Sequence, residues 1–468
     1  MTDHIPDSES ANSQANRLPW WSRGLYTANA IGSQSVGQTL SLWLLFFLAP
    51  PPGHGVAAVP DLDLGFLHLD ARVFVGVLLT AGRLLDAFDD PLIGWWSDRT
   101  RSRWGRRLPF ILFSAPFYAI FFALLWVLPA DGPHMANAVY IFLIVELFYL
   151  ASTFAGGPYE ALFPEIIRTH RDRMNMVALE LYFAITGAVL GLVVSGFIKD
   201  AWGFQVLGMI MAVLGLSFRY LGLLGVWKYA PRHTIPSSAG LIATFRSTMG
   251  NKQFLYFLPT FVLFQLSAGL VLAWLPYLVA TIINPNSQGG GTTSLLTAAT
   301  LAAMVISVVV IWQVGKAKGK KWIYSACLLG SAIYLPFLYF TGFLPGVPLF
   351  VQGAAMAFLA GLPMAGVFLL PKAITADITD YDELRTGVRR EGMFYSTQNL
   401  FEKTAASFSP MLLSLVLLLG DSVDHPLGIR MVGPIAGVFA FLAFWMFRGY
   451  RLPSTVTRET VQEAGLPI

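Results

Sequence analysis

Val73-Phe-Val-Gly-Val-Leu-Leu-Thr-Ala-Gly-Arg83-Leu-Leu-Asp86-Ala-Phe-Asp89-Asp90-Pro91-Leu-Ile-Gly-Trp-Trp96 is a membrane-length hydrophobic run broken by four ionisable side chains. A charge at mid-bilayer costs about 2.5–3.5 kcal/mol per residue on insertion scales. Arg83, Asp86, Asp89 and Asp90 are therefore not retained in one span for stability alone. They must pair, take up protons or hold an ion, and each of these outcomes points to transport. On a helix Asp90 lies four residues from Asp86, Asp89 three, and Arg83 one turn before, all on one stripe. Lipid cannot solvate such a stripe, so it turns inward. Its carboxylate oxygens suit Na⁺ and accept protons equally well. Pro91 removes the backbone donor that would reach the carbonyl at position 87, leaving that oxygen free to coordinate.

The rest of the chain agrees with a membrane setting. Of 468 residues, 55% are hydrophobic, 14% aromatic and only 12% charged. Soluble proteins average about 25% charged residues, and a globule of this size could not cover its surface with so few. The formal net charge of +4 does not indicate nucleic acid, because the basic residues cluster in short loops between apolar spans. The single cysteine, Cys327, lies in an apolar run and reads as a small packing residue; no disulfide framework can form. The first twenty residues are polar, lack an apolar core, and read as a cytosolic tail.

Since roughly 20 apolar residues cross a bilayer, the expected fold is all-α with about twelve transmembrane helices. They fall near 25–50, 73–97, 109–129, 136–163, 176–198, 204–228, 254–283, 294–314, 322–342, 347–375, 392–420 and 430–449. Lys and Arg are concentrated in alternate loops, among them Arg99–Arg107 and Lys316–Lys321. That asymmetry predicts both termini in the cytoplasm of a multi-pass protein of the cell membrane. The polar stretch after residue 228 divides the spans six and six. The expected units are a cytosolic tail (1–22), a six-helix bundle (23–228), a central loop (229–252), a second bundle (253–450) and a tail (451–468). Short basic loops after the second and eighth spans suggest two parallel halves.

Other polar groups interrupt later spans. Lys403 lies inside the apolar stretch Met393–Leu419, with Glu402 beside it and Gln398 and Asn399 about a turn earlier. Its ammonium can pair with the span-2 aspartates in one state and release them in another. Gly156-Gly157-Pro158 bends or unwinds the fourth span, as membrane helices do at substrate sites. Tyr159, Glu160 and Glu180 follow as cavity candidates. The loop from Asp377 through Asp380 to Arg389 mixes signs densely and has a natural partner in the basic loop of Arg101, Arg103 and Arg106. A salt-bridge network between the halves would then close the cytoplasmic side.

These motifs together resemble the glycoside–pentoside–hexuronide:cation symporter family, the melibiose-permease relatives of the major facilitator superfamily. The resemblance rests on Asp86-Ala-Phe-Asp89-Asp90-Pro91, the Arg101-Ser-Arg-Trp-Gly-Arg-Arg107 loop, and Pro158-Tyr159-Glu160-Ala161-Leu162. Ala376-Asp377…Asp380-Tyr381 and Tyr395-Ser396…Gln398…Lys403 complete it. It implies a cation site, Na⁺ at Asp86 and Asp90 or H⁺, in which Asp89 and the Thr153 hydroxyl join the aspartates. Arg83 and Lys403 take the coupling positions. An acid at Asp89, where the melibiose branch carries an amide, favours H⁺ or a more strongly negative Na⁺ site. The sugar side departs from the pattern. Gln34 and Gly156 stand where that branch has acidic residues, Glu160 replaces a tryptophan, and an arginine position falls at Glu180 or Leu181. Phe368 keeps the aromatic of the tenth span.

The expected function is cation-coupled symport of a sugar or glycoside-type solute by alternating access, in a monomer that needs no cofactor beyond the coupling ion. The alternatives are a lysophospholipid or other amphipathic solute, and a non-transporting sensor on the same fold. No Ser/His/Asp or metal-ligand spacing suggests an enzyme.

Overall fold

The computed structural model describes residues 18–63, 65, 68–100, 102–167, 170–230, 248–287, 289–388, 390–453 and 456–467. Arg101 and Arg389 lie outside the described residues, as does most of the central loop. The side chain of Asp90 lies outside them as well.

The chain is helical almost throughout. Its first half contains α1 (Trp20–Leu48), α2 (Ala71–Arg99), α3 (Leu108–Leu124), α4 (Met135–Ile166), α5 (His170–Val189) and α6 (Ser195–Val226). The second half contains α7 (Lys252–Leu278), α8 (Gly290–Lys318), α9 (Lys320–Tyr334) and α10 (Leu349–Leu369). It continues through α11 (Pro371–Thr386), α12 (Glu391–Leu417), α13 (Leu427–Phe447) and the short α14 (Arg458–Glu463). A two-stranded hairpin, Leu62–Asp63 against His68–Leu69, follows α1.

Among the described residues, eight stretches are long and apolar enough to cross a membrane. One of them, Asn175–Val226, spans 52 residues, about twice a bilayer at 1.5 Å per residue. It breaks at Gly203, whose φ of 80° only glycine adopts readily, and so makes two passes. α1, α2 and the 17-residue α3 supply the remaining passes.

The halves are separate bundles. In the first, α1 packs on α5 and α6, α2 on α4, and α3 on α4 and α6. In the second, α7 packs on α12 and α13, α8 on α10, and α9 on α10 and α13. Small residues permit the closest approaches. A Cβ on Gly187 would sit 2.4 Å from the Ile31 carbonyl oxygen of α1, so this crossing requires glycine. The bundles meet along α2–α12, α1–α7 and α6–α8. The hydrogen bonds and ion pairs seen between them lie from mid-helix to the end remote from the termini, called here the far end. There the Tyr277 hydroxyl donates to the Ala49 carbonyl at 2.7 Å, and Arg72 Nη1 lies 2.5 Å from Asp421 Oδ2. Burial pushes the Asp421 carboxyl above its usual range, and Arg72 opposes that shift.

The termini differ from the expected boundaries. α1 starts at Trp20, and Ser22 is already buried. The C-terminal segment is docked. Its Arg451 N–H donates to Gln253 Oε1 at 2.8 Å, and the Tyr381 hydroxyl donates to the Pro467 carbonyl at 2.9 Å. Val456, Val461 and Leu466 explain this, because they bury their side chains on the second bundle.

Candidate functional site

α2 delivers Asp86 to the middle of the protein, where it is 4% exposed. Its Oδ1 accepts a 2.6 Å hydrogen bond from the Thr153 hydroxyl of α4, and its Oδ2 lies 3.5 Å from Lys403 Nζ of α12. Asp86 and Thr153 belong to the first half and Lys403 to the second, so the ionic group spans the boundary between the halves. Lys403 retains 40% side-chain exposure.

Two neighbouring contacts tie α2 to α12. The Thr80 hydroxyl donates to the Ser407 carbonyl at 2.8 Å. Arg83 Nη1 donates to the Ala406 carbonyl at 3.2 Å, with its guanidinium 5.5 Å from the Tyr149 ring centroid. Arg83 therefore braces the second half through a backbone oxygen; its cation is spent on Tyr149 and Ala406. Tyr149 and Ala406 were not legible as site residues, since one is an aromatic among many in α4 and the other acts through its main chain. A cavity of about 30 Å³, bounded by Ser41, Leu79, Arg83, Tyr149 and Pro410, lies beside this contact. Asp89 is half-buried, and no group of three or more His, Cys, Asp or Glu side chains with metal-holding geometry occurs among the described residues. A carboxylate, a hydroxyl and an ammonium meet here, with the Glu146 carboxyl of α4 in electrostatic contact with Asp86 and Asp89, a set that accommodates a small monovalent cation or a proton.

The hydroxyl–carboxylate bond has a measurable role. Hydrogen bonds to a charged group contribute about 1.5–3 kcal/mol. Thr153→Val is expected to weaken apparent cation affinity about tenfold, whereas Thr153→Ser keeps it; cation titration of the purified variants checks this.

The cavity candidates separate into two groups. Gln34, Glu160, Glu180, Phe368 and Asn399 are exposed. Gln34 accepts from the Gln38 amide at 3.4 Å, and Phe368 stands edge-on to Phe264 with centroids 5.9 Å apart. Lys372, absent from the sequence-based set, lies within Coulombic range of Glu180 in the first half and Glu402 in the second. Its signal was a lone lysine directly after Pro371 at the end of an apolar run. Glu402 Oε1 accepts from Gln265 Nε2 at 2.8 Å.

Two candidates are corrected. Tyr159 does not line a cavity. It is 4% exposed, its hydroxyl donates to the Tyr26 carbonyl at 2.6 Å, and the Tyr26 hydroxyl donates back at 2.8 Å. The two rings stack at 4.6 Å. A phenol beside the glycine pair of α4 finds its polar partner on α1, so it packs instead of binding. Gln398 is likewise buried, its Oε1 accepting from the Thr375 hydroxyl at 2.6 Å. Tyr159→Phe is expected to cost about 1 kcal/mol of stability, read as a lower unfolding temperature, with solute affinity unchanged.

Several of the expected gate residues have partners within their own half. Arg106 pairs with Glu165 of its own half, and Arg107 joins the same carboxylate at 3.1 Å. Asp377 pairs with Lys320 of its own half at 2.6 Å. Arg103 stacks over Trp104 at 5.0 Å. Arg103, Arg106, Arg107 and Asp377 thus each have a partner within their own bundle. Asp380 is half-buried on α11.

Comparison with known proteins places this geometry in context. An uncharacterized symporter of Synechocystis is 26% identical over 87% of this chain and 87% of that protein. The isoprimeverose transporter of Lactiplantibacillus pentosus is 22% identical, covering 91% of this chain and 86% of that protein. The crystal structure of an auto-inhibited POT family peptide transporter superposes with a TM-score of 0.66 at 11% identity, covering 93% of this chain and 98% of that one, a likeness of fold. Residues 28–426, which include every part of the Asp86–Thr153–Lys403 group, match the MFS/sugar transport protein family, and the chain belongs to that family.

Proposed function

We propose that this protein is a cation-coupled symporter that moves a sugar or glycoside-type solute by alternating access, with both termini in the cytoplasm of the cell membrane. As a member of a transporter family it is no enzyme. The observation that carries the reading is the ion pair between Asp86 and Lys403, reached from opposite halves and completed by Thr153. A cation arriving at Asp86 competes with the Lys403 ammonium for the same carboxylate. Binding therefore severs one tie between the halves and shifts the balance between states. Because linkage is reciprocal, a solute that favours the same state raises cation affinity by the same factor. Na⁺ and H⁺ both suit the site.

The exposed candidate groups are mixed in character: amides at Gln34 and Asn399, carboxylates at Glu160 and Glu180, a cation at Lys372 and the Phe368 ring. Hydroxyl-rich solutes use such donors and acceptors, and an aromatic face suits the C–H face of a sugar ring. The name of the isoprimeverose relative and the sugar-transport description of the family point the same way.

The test is a proteoliposome screen. Sugars, glycosides and lysophospholipids are offered under an imposed Na⁺ gradient, a proton gradient, or neither. Accumulation of a glycoside above its external concentration under one gradient supports the proposal. Absence of gradient-driven movement for every solute rejects it, and accumulation restricted to lysophospholipids replaces the sugar by an amphipathic solute.

A further inference from the structure

The far end of the α6–α8 boundary holds a second arrangement of charge that the cation site does not use. Asp200 lies just before the Gly203 break. Its Oδ1 accepts from the Gly290 backbone N–H at 3.0 Å and its Oδ2 from the Gly291 N–H at 2.6 Å. Both donors sit in the first turn of α8, where backbone N–H groups have no partner within the helix and the helix dipole favours an anion. The carboxylate belongs to the first half and the donors to the second.

Asp200 is itself held in place. Lys199 Nζ lies 3.0 Å from its Oδ1. That lysine is 4% exposed and sits among three aromatic rings, with centroids of Trp43 at 5.1 Å, Phe204 at 5.6 Å and Phe46 at 5.8 Å. Trp43 is anchored by its Nε1–H, which donates to the Ser195 hydroxyl at 2.9 Å. A desolvated ammonium over aromatic faces is strongly held, so the first half presents the carboxylate at a fixed position. The opposing surface is shaped for it. A Cβ at Gly290 would lie 2.4 Å from Asp200 Oδ1, and a Cβ at Gly196 would lie 2.2 Å from the Ser294 hydroxyl oxygen. Only glycine at both positions allows the carboxylate to reach the helix terminus.

We propose that Asp200, positioned by Lys199 and its aromatic cage, is a reversible latch that closes the far end of the transporter by capping α8 of the opposite half. The chemistry suits a contact made and broken in each cycle. Asp200 keeps 31% side-chain exposure, so water reaches it. When the halves part, water satisfies both the carboxylate and the two N–H groups, while the Lys199–Asp200 pair stays intact within the first half. Arg72 and Asp421 occupy the corresponding place at the α2–α12 boundary. The inference rests on the alternating-access part of the proposed function but on neither the solute nor the coupling ion.

The experiment measures distance without transport. Asp131 and Val423 are exposed far-end positions in the first and second halves. With Cys327→Ser as background, both are replaced by cysteine, spin-labelled, and their distance distribution recorded in lipid nanodiscs without solute. Asp200→Asn keeps the shape but offers amide hydrogens toward the α8 N–H groups. It is expected to raise the long-distance population severalfold, with Asp200→Glu staying closer to the parent. Gly290→Ala, which sets a methyl against the carboxylate, is expected to reproduce the shift and stands in if Asp200→Asn is not monodisperse. An unchanged distribution in Asp200→Asn and Gly290→Ala overturns the latch. An equal shift in Asp200→Asn and Asp200→Glu also overturns it, by assigning the contact to packing instead of charge. Neither result bears on whether a cation drives a sugar.

Discussion

Asp86→Asn is expected to abolish uphill solute uptake and to weaken cation binding about a hundredfold. The carboxylate is 4% exposed and holds both the Thr153 hydroxyl and the Lys403 ammonium. Losing the charged ligand removes a charge-assisted contact to the cation worth about 1.5–3 kcal/mol, up to roughly a hundredfold in affinity. The amide retains a hydrogen-bond acceptor for Thr153, so the fold is expected to survive. The measurement is paired: gradient-driven accumulation and solute counterflow in the same proteoliposomes. Loss of accumulation with counterflow retained is the expected outcome. Undiminished accumulation would remove Asp86 from the coupling mechanism.

Lys403→Ala is expected to abolish uphill uptake as well, yet to change cation binding in the opposite direction. The ammonium lies 3.5 Å from the carboxylate that the cation must reach. It competes for the site, and its removal deepens the negative potential there. Screened as a partly exposed pair, that competition is up to about 1 kcal/mol, or roughly a fivefold gain in cation affinity. Coupling is lost because the tie between halves that the cation severs no longer exists. Cation binding followed by calorimetry on the two variants distinguishes this mechanism from a merely structural ion pair. A structural pair predicts weaker or unchanged binding in both.

The two substitutions also separate what is local from what is assembled. Arg83, Asp86, Asp89 and Asp90 are visible as misplaced charges in a hydrophobic run from bilayer energetics alone. Lys403 and Thr153 are legible for the same reason or by family resemblance. The partner of each is not. Arg83 shares a helical stripe with Asp86, but its guanidinium is drawn to the Ala406 carbonyl and Tyr149. Tyr159 sits beside Gly156-Gly157-Pro158, an apparent cavity signal, but interlocks with Tyr26 in the core of the first bundle. Arg106 and Asp377 have the right signs to meet each other and instead neutralise Glu165 and Lys320 within their own bundles. The Asp200 contact had no sequence signal, since its acceptors are satisfied by backbone N–H groups of two glycines.

The order and number of helices, their membrane setting and the presence of an ionic centre follow from the sequence by itself. Hydrophobic length and the penalty for burying charge act over one or two helical turns and require no knowledge of neighbours. Pairings such as Thr80 with Ser407, 327 residues apart, were decided only by the tertiary structure. Two bundles must first pack before a side chain can choose among the donors and acceptors brought within 3 Å. That choice depends on shape and desolvation at the contact, which no local pattern of residues encodes.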